Sequence, residues 1–255
     1  MGRAGLCMNS IADKVFSEGF AVVSNVLEED EVVLFRELLN DYFRSNYLNF
    51  NGEKVVSGWS GITHKLGPMN NLYKDSRVTE IVEKVLGEDW IFSEHSGIHQ
   101  DKITPWHNDI LPLDKMDLLR YVYPIVKTLK PSDDGYKIIN VCFLLQDHSD
   151  NEHGLWFKPC SNRQEFYSNK QEFCEQEICV HRNSTDLIVF DQRVEHRGQR
   201  PENTYFEKYK KHRYLVTMGY GVDNFYTKQH IAGTVYRQNQ QRASMIREIE
   251  NDTIK

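Results

Sequence analysis

The chain has 255 residues, of which 40% are hydrophobic and 27% charged, a balance that suits a globular protein with ample buried core. Its formal net charge of −6 and pI near 5.9 argue against a broad nucleic-acid footprint, which needs a basic face. No run of about 18 apolar residues occurs, so no membrane partner is expected.

The opening stretch "MGRAGLCMNS" lacks a long apolar segment and has no hydroxyl residue at position 6. The signal-peptide and myristoylation patterns therefore both fail. Next, "FAVVSNVL" (20–27) follows Gly19 and reads as a strand. "EEDEVVLFRELLNDYF" (28–43) starts with acidic residues and carries Val32, Phe35, Leu38, Leu39 and Tyr42 at helical spacing. "RVTEIVEKVLG" (77–87) reads as a second helix with Gly87 at its C-cap. Residues 1–89 are thus expected to form an α/β support.

From about residue 90 the pattern changes. "WIFSEHSGIHQ", "KIINVCFLLQD", "GLWFKP", "DLIVFDQRVEH" and "RYLVTMGYG" are short, apolar and separated by loop residues. This spacing predicts a β-sandwich or barrel over 90–221. The expected fold class is mainly β with flanking helices, in one domain spanning 1–255. A long insertion interrupts the strands, and residues 111–136 are expected to form a lid. The stretch 222–255 reads as a polar tail, helical over 235–251.

The five cysteines form no C-x-x-C pair, and Cys174 and Cys179 lie at no familiar zinc spacing. They read as reduced thiols, and the expected location is cytoplasmic. Asn183 opens a glycosylation acceptor that has no use without secretion.

The chemistry centres on "TPWHNDILP" (104–112). On a strand, residues two apart share a face, so His107 and Asp109 would project together. An isolated H-x-D is a common accident. A second histidine, His196, follows the predicted strand "DLIVFDQRVEH" and could join the pair only across a barrel. Two imidazoles and one carboxylate are the ligand set of non-heme Fe(II) oxygenases, with three octahedral positions left open.

The order of motifs resembles the phytanoyl-CoA dioxygenase (PhyH-like) family. The resemblance runs over residues 15–221, through "EGFAVVSNVLEEDEVVLFRELL", "WHND", "NVCFLLQDHSDNEHGLWFKPCSNR" and "DLIVFDQRVEHRGQRPEN". It implies a double-stranded β-helix of the jelly-roll or cupin kind. It also implies Fe(II) at His107, Asp109 and His196, with 2-oxoglutarate as co-substrate and dioxygen as oxidant. The implied reaction is oxidation, most simply hydroxylation, of a small molecule with release of succinate and CO2. The chain departs from the family at Cys160 and Asn162, where Pro-Gly-Ser-His is usual. It also has Gly198 where the family often has a hydroxyl that helps hold 2-oxoglutarate, and the link 203–213 is long. Asp109 is the carboxylate that halogenating relatives replace with a small residue.

The far carboxylate of 2-oxoglutarate needs a fixed cation, and arginine suits it by its planar fork. Arg197 adjoins His196 and would face away, and Arg200 precedes Pro201 in a turn. Arg213 opens "RYLVTMGYG" and shares a face with Leu215 and Thr217, so the role falls to Arg213.

Asn140, Cys142 and Leu144 share a strand face. Asn140 is either a satisfied core amide or a contact to the co-substrate carboxylate. Tyr121, Tyr123 and Trp156 are either core aromatics or substrate-pocket walls. His95, His99, His148 and His153 read as surface or hydrogen-bonding residues. The competing function is a catalytically silent, cupin-like metal-binding barrel serving as sensor or scaffold. A minor third reading is hydroxylation of a protein or nucleic acid. No oligomeric state follows from the sequence.

Overall fold

Alternation along the strands decides the architecture. In the computed structural model, which describes residues 10–46, 54, 57, 63, 66–109, 135–146, 152–163, 176–180 and 183–235, two antiparallel sheets face each other. The elements are α1 (Ile11–Glu18), β1 (Phe20–Val23), α2 (Glu29–Ser45), a 3-10 helix (Gly67–Lys74), α3 (Ser76–Leu86), β2 (Trp90–Gln100), β3 (Ile138–Leu144), β4 (Leu155–Phe157), β5 (Ile178–Val180), β6 (Leu187–Asp191), β7 (His196–Arg197), α4 (Tyr205–Tyr209) and β8 (Tyr214–Val222). The larger sheet has the order β1-β6-β3-β8-β2 and the smaller one β5-β4-β7.

Parity along β3, β6 and β8 sends side chains into two separate cores. Val141, Phe143, Val189, Val216 and Met218 pack outward against Val32, Phe35 and Leu39 of α2 and Val78 and Val82 of α3. Cys142, Leu144, Ile188 and Phe190 point the other way and meet Leu155 and Phe157 of the small sheet. A strand covered on both faces reads as a continuous apolar run, which is the character of "IINVCFL", buried at every position.

The helices start where capping chemistry allows. The Ser10 hydroxyl accepts from the Asp13 N–H and the Asp13 carboxylate accepts from the Ser10 N–H, a capping box that starts α1. Asp75 caps α3 in a similar way and, with Glu31, holds the Arg77 guanidinium. The sequence reading had not singled out α1, although Ser10 and Asp13 announce it. The strand expected over 20–27 ends at Val23, because Asn25 adopts a left-handed φ of 58° and turns the chain.

The expected lid, 111–136, with Tyr121 and Tyr123, lies outside the described residues except for 135 and 136. The expected tail helix, 235–251, lies outside the described residues except for Val235, which is helical together with residues 225–234. Among the described residues, no helix is long and apolar enough to cross a membrane.

Candidate metal centre

A cavity of about 350 Å³ lies between the two sheets. At one end, the ligand atoms of His107, Asp109 and His196 all lie within 4.8 Å of one another. His107 Nε2 is 3.9 Å from Asp109 Oδ1, and His196 Nε2 is 3.7 Å from Asp109 Oδ2.

These side chains converge for a reason other than the one expected. Residues 101–109 form no continuous strand; they carry isolated bridges only. The pair is aimed instead by backbone bonds to the β6–β7 connection. His107 N–H donates to His196 O (3.0 Å), His196 N–H donates to His107 O (2.8 Å), and Asp109 N–H donates to Gln192 O (2.9 Å). The histidine that lies far away in sequence is therefore the direct backbone partner of the first.

Each ring is fixed for ligation. His107 Nδ1 lies 2.8 Å from Pro105 O and His196 Nδ1 lies 3.1 Å from Val194 O. A carbonyl can only accept, so Nδ1 carries the proton and the Nε2 lone pair faces the triad. Burial pulls His196 below the usual imidazole range, against the opposing charge of Asp109. Burial would raise the Asp109 carboxyl, but the neighbouring His196 and His107 outweigh it and hold it low. Two Nε2 atoms and an ionised carboxylate that face one another are the donors that a divalent ion takes, so the donor set fits Fe(II).

Asn140 takes its partners from the protein. Its side-chain amide donates to Asp109 Oδ2, and its Oδ1 accepts from Gln192 Nε2 at 3.0 Å. Asn140 and Gln192 are almost wholly buried. Together they form a ring with Asp109, closed by the Gln192 backbone carbonyl. Gln192 was not foreseen, since a glutamine after a strand carries no particular signal.

Arg213, 1% exposed, lines the same cavity. Its Nε donates to His153 O (2.8 Å) and its Nη2 to Gly154 O (3.1 Å). Among the described residues no carboxylate reaches its guanidinium. Burial lowers it to about 10, with only distant help from Asp101, Cys179 and Cys142. Leu215 and Thr217 line the same cavity. Arg197 and Arg200 turn outward and share Glu177, at 3.1 and 3.3 Å.

One correction follows. Trp156 does not line the cavity: alternation along β4 turns Leu155 inward and Trp156 out, where Arg197 and Arg200 lie over its ring. His95 and His99, read as surface or hydrogen-bonding residues, both line the cavity, and the hydrogen-bonding reading holds for His99. Four residues apart on β2 they share a face, so the rule that paired His107 with Asp109 could have found them. His99 Nδ1 lies 2.9 Å from Ser57 Oγ. Burial, with Lys102 and Arg213 nearby, lowers His99 to about 3. His153 is fully buried, and His148 lies outside the described residues. Cys142, on the cavity wall, is a thiol that burial pushes up to about 12.

No protein-family model matches the chain, and no curated protein matches it. Solved structures do. AviO1 from Streptomyces viridochromogenes Tue57 matches with 13% identity over 83% of this chain and 93% of that one, at a TM-score of 0.55. SnoK, a non-heme alpha-ketoglutarate-dependent carbocyclase from nogalamycin biosynthesis, matches with 14% identity over 83% and 82%, at 0.59. EctD from S. alaskensis with bound Fe matches with 13% identity over 83% and 74%, at 0.56.

The chain shares the cupin-like, jelly-roll fold of these three proteins. Within that fold its departures have local reasons. Cys160, where the PhyH-like pattern has glycine, adopts a left-handed φ of 63°. Asn162 is held by Phe16 O and Asp191 Oδ2, both at 3.2 Å. The long link before Arg213 contains α4, started by a capping box between Thr204 and Glu207.

Proposed function

We propose that the protein is a non-heme Fe(II)- and 2-oxoglutarate-dependent dioxygenase that hydroxylates a small-molecule metabolite. The observation that carries this reading is the presence, in one cavity, of a three-donor metal set and a buried guanidinium whose partners among the described residues are neutral backbone carbonyls. A buried cation left with neutral partners is costly, and an anionic ligand spanning from the metal to Arg213 removes that cost.

His107, Asp109 and His196 would hold the iron, and Arg213 would hold the far carboxylate of 2-oxoglutarate. When bound, iron and 2-oxoglutarate would supply dioxygen chemistry, with one oxygen atom destined for the substrate, the other for succinate, and loss of CO2. The protein's part is to hold Nε2 of both histidines and one carboxylate in a fixed geometry. It also keeps the cavity shielded between two sheets, with a polar lining that includes His95, Ser57, Thr104 and Thr217. That lining suits a small polar substrate. The acidic balance speaks against nucleic acid. Free thiols at Cys142 and Cys160 suit a reducing, cytoplasmic setting.

The test is calorimetry under argon with Fe(II) and then 2-oxoglutarate, followed by a succinate-release screen across metabolite classes in air. Tight binding of both with substrate-stimulated succinate supports the dioxygenase. Metal binding without 2-oxoglutarate binding would favour the silent metal-binding barrel.

A further inference from the structure

Gly198 lies two residues beyond His196. A Cβ there would come within 2.9 Å of Lys102 O and 3.1 Å of Thr104 Oγ1. The room that a side chain at 198 would occupy is taken by residues 102–104. Thr104 Oγ1 accepts from Gly198 N–H at 2.7 Å. Thr104 and Gly198 both line the cavity.

The same short segment is tied to Arg213. Asp101 N–H donates to Arg213 O (2.9 Å) and Arg213 N–H donates to Asp101 Oδ1 (2.8 Å). The β4–β7 pairing sets Trp156 opposite Arg197, and their chain neighbours Leu155 and Gly198 both line the cavity. Gly154, next to Leu155, is the residue whose carbonyl accepts from Arg213 Nη2. Thr104 and Arg213 therefore lie on segments tied to each other through Asp101, and both line the one cavity.

A hydroxyl has one proton to give. The oxygen of Thr104 is already engaged as an acceptor, and among the described residues nothing accepts its proton. We propose that Thr104 donates this proton to the far carboxylate of 2-oxoglutarate beside Arg213, replacing a hydroxyl that position 198 cannot carry. The assignment rests on the dioxygenase reading and adds a binding residue from a different segment.

The experiment compares wild type, Thr104→Val and Thr104→Ser as full-length Fe(II)-loaded proteins under argon. Each is titrated by calorimetry with 2-oxoglutarate and with 2-oxobutyrate, which has the same chelating end but no far carboxylate. A hydrogen bond to a charged group corresponds to about 10- to 100-fold in affinity. Thr104→Val is expected to weaken 2-oxoglutarate by that factor while leaving 2-oxobutyrate and Fe(II) affinity unchanged, and Thr104→Ser is expected to restore 2-oxoglutarate binding. Equal weakening of both oxo acids, or of the metal, would overturn the assignment, because the hydroxyl would then only be supporting the backbone at Gly198. Wild-type affinity in Thr104→Val would overturn it too, with the dioxygenase reading intact. A wild-type protein that takes Fe(II) but no 2-oxoglutarate would overturn both.

Discussion

Arg197 lies with its guanidinium carbon 4.8 Å from the centre of the Trp106 ring, and each is the chain neighbour of a triad histidine. Because His107 and His196 point inward, their neighbours point outward and stack on one another. Lys158 covers Trp106 at 4.8 Å, and Arg197 and Arg200 lie over Trp156 at 5.0 and 4.5 Å. The outer face of the site is thus a ladder of cations and indoles that ties β4, β7 and the His107 segment together.

Removing its middle rung should loosen the metal site from behind. Cation–π contacts contribute about 0.5–2 kcal/mol each according to desolvation, and Arg197 makes two. Arg197→Ala is expected to lower stability by about 1–2 kcal/mol and to weaken Fe(II) binding modestly. Urea denaturation and metal titration check this, and an unchanged midpoint would show that the stack is incidental.

Asp109→Ala should abolish tight Fe(II) binding, since it removes the only anionic donor of the set. Asn140→Ala should spare the ligands but free the Asp109 carboxylate to rotate. Partners that orient a metal ligand typically contribute about 10- to 100-fold in affinity. A loss in that range is expected for Asn140→Ala, with a smaller one for Gln192→Ala. Isothermal titration with Fe(II) would rank the three variants.

Arg213→Ala should cost about 2–5 kcal/mol of 2-oxoglutarate affinity, the usual range for truncating one partner of a buried charge pair. Iron affinity should survive, because Arg213 is not one of the three metal donors. Sequential titrations under argon separate the two, and a variant that still binds 2-oxoglutarate like wild type would move the role to another cation.

His99 sets an acid limit on stability. It is lowered from 6.5 to about 3 in the folded state, so the unfolded chain takes up the proton first as pH falls. Its contribution is complete above about pH 6.5 and is lost between about pH 6.5 and 3. Between pH 7 and pH 5 the linked loss is about 2 kcal/mol. Wild type should lose that much more stability than His99→Gln over this interval in urea titrations. Parallel pH profiles would mean that His99 keeps its solution pKa.

Strand alternation made much of the site readable in advance. "KIINVCFLLQD" and "RYLVTMGYG" carry apolar residues on both faces, which announces strands covered by helices on one side and by a second sheet on the other. The same alternation put Asn140 beside Cys142, and Arg213 beside Leu215 and Thr217, because period two is a property of the backbone. His107 and Asp109 were also paired by it, although the chain there is no strand. What aims them are hydrogen bonds to Gln192 and His196, partners that no local pattern reveals. Only the tertiary structure decided that Asn140 meets Asp109, that Trp156 faces the outer ladder, and that Thr104 fills the place of a side chain at Gly198. Each of those outcomes is a contact between segments far apart in sequence. Local chemistry sets which face a residue takes, and the packing of one sheet on the other sets what that face meets.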